Sequence, residues 1–373
     1  MSRRWLSAFE SDLPRLVGDL ETLVRLESPS DDPGRVSQAA SWVRDRLRER
    51  GVATELRPCA PRGDALLASV VFREGGTLIL GHLDTVWPAG TLAEMPWCLD
   101  GGRASGPGVF DMKAGVVVGM AVLTAMVRES RPHPVSLLLV PDEEAGSPAS
   151  RELTLSVARR HRRVLVLEPS LDGAAKVARK GCGTFHVRFR GRAAHAGLEP
   201  EKGASALEEM ARFALFLGGL AAPSGGTTLT PSVARAGSAT NVVPEEAELA
   251  VDARAWSREE AGRVTAAIRA YRPVDPGVAV RIEGGFDRPP LEPSRASDAL
   301  FELARRLAGD LGLELGAARV GGASDGNFTA AAGIPTLDGL GPRGGGAHAR
   351  DEHVLVTDLP LRAALVAALA SEP

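Results

Sequence analysis

Thiols are scarce in this chain: only Cys59, Cys98 and Cys182 occur among 373 residues, far apart and without a CxxC pair. That spacing excludes a disulfide framework and a thiolate zinc site, and it fits a reducing compartment. An excess of one charge sign is lacking too. The 44 basic and 47 acidic residues leave a formal net charge of -3, too weak a field to draw in nucleic acid or an anionic membrane. The expected partner is therefore a small molecule or a peptide, with no nucleic acid and no membrane. No stretch of 18 apolar residues occurs, and the opening "MSRRWLSAFESDLPRL" has no unbroken apolar run before Glu10 and Asp12. The expectation is a soluble, cytoplasmic chain that keeps its first residues. Internal repeats are missing, and "GPRGGGAH" is too short to be a low-complexity linker.

What is present is enough apolar material, 44% of residues, for a sizeable core, in a chain long enough to favour two domains. Val36, Ala39, Val43 and Leu47 fall at helical spacing over 35–50, and Gly51 follows as a stop. Short apolar runs come next: "TLIL" at 77–80, "PVSLLLV" at 134–140 and "RVLVLEP" at 163–169. Segments long enough for helices, including 112–129 and 148–162, separate them. Continuous apolar strands alternating with helices indicate an α/β fold with a mostly parallel sheet covered on both faces. Ligands of such sheets bind beyond the carboxyl ends of the strands. Each run here ends in polar residues: Gly81-His82-Leu83-Asp84, then Asp142-Glu143-Glu144, then Glu168.

Between 180 and 286 the pattern changes. "TFHVRFR" alternates Phe185, Val187 and Phe189 with His186, Arg188 and Arg190, the period of a strand with one wet face. A helix over 202–218, strands over 227–236 and 246–255, a helix over 257–271 and a strand over 277–283 complete a ferredoxin-like order. The expected domains are 1–179 with 287–373, and an inserted 180–286.

"VPDEEAGS" sets three carboxylates side by side directly after a buried run. Alone, it reads as a solvated turn; Asp111 alone reads as a helix cap, and a lone strand-end histidine as a structural one. The combination at one sheet edge is what departs from the ordinary. A two-metal hydrolase needs oxygen and imidazole ligands, a bridging carboxylate, and an unligated carboxylate to accept a proton from the attacking water. His82, Asp111 in "GPGVFDMKAG", Glu168 and His348 in "GGGAHARDE" are of those types, and Asp84 stands where its side chain can orient the His82 ring through the other nitrogen.

In order, "GHLDTV", "GPGVFDMKAG", "DEEAGS", "LEP", "GRAAHAG", "NVVP", "DAR" and "GGASDGNF" resemble the co-catalytic zinc peptidase family of glutamate carboxypeptidase, acetylornithine deacetylase, succinyl-diaminopimelate desuccinylase and aminoacylase, most closely the glutamate carboxypeptidase branch. Ala349 after the histidine departs from the Ser or Thr common in relatives, while Glu352 keeps its place. The resemblance implies two zinc ions per chain, replaceable by cobalt or manganese. Asp111 would bridge them, with His82 and Glu168 on one ion and Glu144 and His348 on the other. Two divalent ions against three ligand carboxylates leave one net positive charge, which stabilises an ionised Glu143 beside them. Neighbours on an extended segment point opposite ways, so Glu144 would be the ligand and Glu143 the general base. Asp84 would assist catalysis. Arg254, alternating with an apolar face over 246–254, would hold a substrate carboxylate; His195, Asn241 and Gly322 match substrate positions, and Lys180, Gly321 and Asp325 are weaker candidates. The function implied is hydrolysis of a peptide or N-acyl amino acid amide next to a free carboxylate, carboxypeptidase-like, with an N-acyl amino acid deacylase, a dipeptidase or a non-catalytic binding protein as alternatives. The inserted domain is expected to act as lid and to make a homodimer, lending His195 to the partner's site.

Overall fold

A computed structural model describes residues 2–71, 73–130, 132–222 and 225–372. The chain forms two compact units, Met1–Val177 with Pro293–Arg319 and Ser324–Pro373, and Ala178–Glu292 with Val320–Ala323.

In the first unit the apolar runs become strands Gly76–His82, Val135–Val140 and His161–Val166. They are parallel neighbours, with Gly76–His82 in the middle, and Thr336–Leu337 adds a fourth parallel strand. Two strands not anticipated from the sequence, Ala53–Pro58 and Asp64–Ser69, extend the sheet antiparallel at its other side. Strand Ala53–Pro58 lies at the edge of the sheet with its residues mostly exposed, and it therefore carries no continuous apolar stretch. The central strands are apolar on both sides because both sides are covered. Ile79, Leu137 and Leu139 enter one core with helices Leu13–Arg25, Pro33–Glu49, Ala114–Met126 and Leu359–Ser371, while Leu78, Leu80, Leu138 and Val140 enter another with Val157 and Ala158 of helix Arg151–Ala158. Each such side chain stabilises the fold by roughly 1.5–3 kcal/mol relative to exposure. Val109–Met126 is apolar and long enough by composition to cross a membrane, yet 89% of it is buried inside the fold, as the core helix.

The second unit has strands Gly181–Arg190, Thr228–Ala236, Glu246–Ala255 and Ala279–Arg288, all antiparallel, in spatial order second, third, first, fourth. Helices Ala206–Leu220 and Arg258–Arg269 cover one face, and Phe185, Val187, Phe189, Phe213, Leu249, Val251, Val264 and Ile268 fill the space between. This is the ferredoxin-like arrangement. The unit reaches beyond 180–286 for a physical reason. Its last strand runs on to Arg288 opposite Cys182, and Val320–Ala323 is tied to it by the Lys180 N–H donating to the Val320 carbonyl and the Arg179 guanidinium donating to Gly322 and Ala323 carbonyls.

Candidate metal centre

Parallel strands end at the same edge of a sheet, so three of them deliver His82, the 142–144 segment and Glu168 to one place. The approach is close. A Cβ on Gly81 would lie 2.7 Å from Met112 Cε, and one on Gly115 would lie 2.2 Å from the Leu167 carbonyl oxygen, so these two glycines let the Asp111 loop and its helix settle against the strand ends.

His82 is buried, with Nδ1 2.9 Å from the Asp84 main-chain oxygen. Its Nε2 lies 3.3 Å from Asp111 Oδ1 and 3.5 Å from Glu168 Oε1. The second oxygen, Asp111 Oδ2, is 3.5 Å from His348 Nε2, which is 3.1 Å from Glu144 Oε1. Each oxygen of Asp111 therefore faces a different imidazole, and each imidazole has a glutamate of its own. His348 sits in the connection between strands Gly344–Gly345 and His353–Leu355, at a positive φ of 61°.

The Asp84 carboxylate lies 3.5 Å from His82 Nδ1, and the Asp84 main-chain carbonyl makes the closer contact to the same nitrogen. That carboxylate also accepts the N–H groups of Glu143 and Glu144, both at 3.1 Å, and the Ser30 hydroxyl at 2.7 Å. One expectation is corrected: the strand-alternation argument for Glu143 and Glu144 fails, because strand Val135–Val140 has ended and 143–146 form a turn, closed by the Gly146 N–H donating to the Glu143 carbonyl at 2.8 Å. Both glutamates consequently reach His82: His82, Asp111 and Glu144 each place one donor atom within 4.8 Å of the others, as do His82, Glu143 and Glu168.

Other anchors lie outside the motifs. Buried Glu352 accepts the N–H groups of Gly108, Phe110 and Asp111 at 2.9–3.0 Å and the Trp87 indole at 2.7 Å, fixing the Asp111 loop. Asp325 is a buried partner of the Ser147 hydroxyl that closes the 142–147 turn. A glutamate at 352 was visible in the sequence only as a residue in its usual place, since its donors are more than 240 residues away in the chain.

Electrostatics test whether this donor set fits cations. Burial lowers the His82 pKa, but Asp111, Asp84 and Glu168 outweigh it and raise it well above the ordinary value. Asp111 and Glu144 raise His348 to about 10 against the lowering by burial. Burial raises Glu144, whereas for Asp111 the opposing burial is overcome by His348 and His82, which lower it. The carboxylates thus demand positive charge, part of which the two imidazoles supply. His82 Nε2 and Asp111 Oδ1 are buried and make no hydrogen bond although they face each other. Unsatisfied buried donor atoms of oxygen and imidazole type fit divalent cations.

The remaining candidates belong to the second unit. His195 is exposed, its Nδ1 accepting the Gly197 and Leu198 N–H groups at 3.1 and 3.2 Å, and the Ala196 N–H donates to the Asn241 carbonyl at 2.9 Å, which brings these two candidates side by side. Arg254 is not a lone cation: Nε and Nη2 bind the two oxygens of Asp252 at 2.9 and 3.2 Å, and Nη1 donates to the Gly321 carbonyl at 3.0 Å. The Lys180 ammonium lies 5.4 Å from the Trp256 ring centre.

An α/β unit carrying clustered carboxylates and imidazoles beyond its parallel strands, with a ferredoxin-like unit inserted, defines a class of metal-dependent hydrolases. Residues 78–372 match Peptidase family M20/M25/M40, and the chain belongs to that family. It is 29% identical to carboxypeptidase G2 of Pseudomonas sp. (strain RS-16), over 97% of this chain and 90% of that enzyme. In fold it is similar to a tripeptidase from Staphylococcus aureus (TM-score 0.79, 20% identity, 96% and 97% of the two chains) and to a dinuclear metal-binding peptidase of the M20 family from Bacillus subtilis (TM-score 0.69, 15% identity, 97% and 98%). The protein is a hydrolytic metalloenzyme.

Proposed function

We propose that this enzyme is a di-zinc, carboxypeptidase-like amidohydrolase that cleaves a small peptide or N-acyl amino acid next to a free carboxylate. Asp111 would lie between the ions, His82 and Glu168 would hold one, and Glu144 and His348 the other, with cobalt or manganese as substitutes. The observation that carries this reading is Asp111 itself, whose two oxygens stand 3.3 and 3.5 Å from two different imidazoles. When bound, the ions would polarise the amide carbonyl and acidify the attacking water. The chain's own part is positional and acid–base. Glu143, whose N–H is held by Asp84, takes the water's proton and passes it to the leaving nitrogen. Asp84 fixes the turn that aims it. Arg254, oriented by Asp252, takes the substrate carboxylate, while His195, Asn241 and Gly322 contact the rest of the substrate. The second unit serves as lid and homodimer surface. Three free thiols suit a reducing cytoplasm.

The test is kinetic. Zinc-loaded enzyme is given dipeptides and N-acyl amino acids varied at the C-terminal residue, each paired with its C-terminal amide. Cleavage is expected for the acids, and Arg254→Lys should raise KM for the acids alone, because lysine keeps the charge but loses the paired donors. Equal turnover of acids and amides would overturn the carboxylate reading.

A further inference from the structure

Arg362 is the bulkiest fully buried side chain among the described residues, and nothing above uses it. Its Nε donates to Asp358 Oδ2 at 3.0 Å and its Nη2 to the Gly173 carbonyl at 2.9 Å, while its buried Nη1 makes no hydrogen bond. Asp358, equally buried, also accepts the Arg343 N–H at 2.8 Å and the Arg343 Nε at 3.0 Å. Stability is a weak reason to keep such a group. Burying a guanidinium with one nitrogen unsatisfied is costly, and well-packed apolar residues in place of a buried ion pair are often as stable or more so.

The placement of its partners supplies a better reason. Gly173 follows Glu168 by five residues, on a tight turn closed by Leu171 and Ala174, which exchange main-chain hydrogen bonds at 3.1 and 2.8 Å. Arg343 precedes His348 by five residues, at the foot of the connection that carries it. One carboxylate and one guanidinium therefore join a point next to one proposed metal ligand to a point next to the other. The junction is tight: a Cβ on Gly173 would lie 3.3 Å from both Arg362 Nη2 and Arg343 Cδ. Main-chain bonds tie the same two segments on the near side of Arg343, the Leu340, Gly341 and Lys176 N–H groups donating to the Val166, Glu168 and Asp338 carbonyls at 3.1, 2.9 and 2.8 Å, and the side-chain link extends this tie toward the His348 connection.

We propose that Arg362 and Asp358 are positioning residues of the metal centre, a buried strut that fixes the spacing between the Glu168 turn and the His348 connection. The proposal rests on the reading that Glu168 and His348 each hold a cation. A ligand pair held at fixed spacing binds its ions without first being ordered, so loss of the strut shows as weaker metal binding more than as lost folding. Groups hydrogen-bonded directly to metal ligands typically contribute about 10–100-fold to metal affinity, and a strut acting one step further out is expected at the lower end of that range.

The test is a zinc titration of metal-free protein against a chelating dye, with the thermal midpoint of the metal-free form measured beside it. Arg362→Met is expected to weaken zinc binding at one or both sites about tenfold. Arg343→Met, at a half-exposed position that tolerates change, should weaken it several-fold with little shift of the midpoint. Should Arg362→Met fail to fold, Arg343→Met and the charge-free double variant Arg362→Met/Asp358→Asn carry the test. A lowered midpoint with zinc affinity within about twofold of wild type in the variants that fold would overturn the proposal, leaving only a stabilising role. Glu168→Gln and His348→Ala serve as controls: if they bind zinc like the wild type, the ligand assignment falls and the strut with it.

Discussion

Glu143 and Glu144 share one turn, yet their surroundings differ, and the difference decides what each mutation should do. Glu144 meets His348 at 3.1 Å, whereas Glu143 groups with His82 and Glu168. Glu143→Gln keeps the shape and removes the base, so metal content should stay near two per chain while turnover falls by a factor of about 10² to 10⁴. Glu144→Gln replaces an anionic ligand by a neutral one; it should purify with less metal and regain activity in excess zinc or cobalt. Equal metal loss from both, or rescue of Glu143→Gln, would reverse the assignment. His195 allows an equally local test. A neutral imidazole has one donor and one acceptor nitrogen, and Nδ1 here accepts two main-chain N–H groups, so the proton must sit on Nε2. Nitrogen-15 NMR of histidine-labelled protein, assigned with His195→Gln, should find Nε2 protonated and Nδ1 bare; the opposite pattern would remove His195 as a hydrogen-bond donor toward substrate. At this scale the residue types were legible in the sequence because apolar runs end where the chemistry begins. Their partners were not: Asp84 holds amides 59 and 60 residues away, and Glu352 holds three more than 240 away.

The elements that could be read were those with one unmistakable periodicity. Helix Ala114–Met126 and strands Gly76–His82 and Val135–Val140 are buried on nearly every side, and continuous apolar sequence announces that. Strand His161–Val166 begins earlier than its apolar stretch suggests, because it opens on a buried polar residue. His161 Nδ1 lies 2.8 Å from the Val157 carbonyl and Nε2 lies 3.1 Å from the Ser136 hydroxyl, which in turn meets Ser69 at 3.0 Å. No pattern of hydrophobicity foretells a histidine satisfied by a carbonyl of the preceding helix and a serine of the next strand but one. The arrangement has a pH consequence. Burial, with Arg160 adding to it, lowers the His161 pKa below its ordinary value despite the contact with Val157. The unfolded chain then binds this proton more readily than the folded one, so stability is lost as pH falls through about 6.5 toward the folded value. His161→Gln should be less stable at neutral pH, yet its urea midpoint, measured with a chelator present, should decline less than that of wild type between about pH 7.5 and 5.5. Parallel declines would show that His161 does not titrate against folding.

The change from continuous to alternating hydrophobicity announced an inserted unit, but its limits depend on long-range pairing. Arg288 is opposite Cys182, and Val320 accepts from Lys180, across distances in sequence that no local pattern spans. The same unit carries the features that favour association. Its edge strand Thr228–Ala236 is exposed from Thr230 onward, with Val233 55% exposed, and the outer side of helix Ala206–Leu220 shows Leu215 at 79% and Leu207 at 42%. An open strand edge beside exposed leucines is a surface that a second copy can cover. The proposed homodimer, with His195 acting on the partner's centre, makes a sharp prediction for mixed dimers. Glu143→Gln lacks the base but offers a sound His195; His195→Ala has the base but offers no imidazole. In a mixed dimer, the site that keeps Glu143 receives His195 from the other chain, and the second site lacks both. With random pairing half the dimers are mixed and half their sites work, so co-expression should restore about a quarter of wild-type activity although each variant alone is nearly inactive. If His195 served its own chain, every site would lack one group, and a mixture no more active than the separate variants would refute action across the dimer.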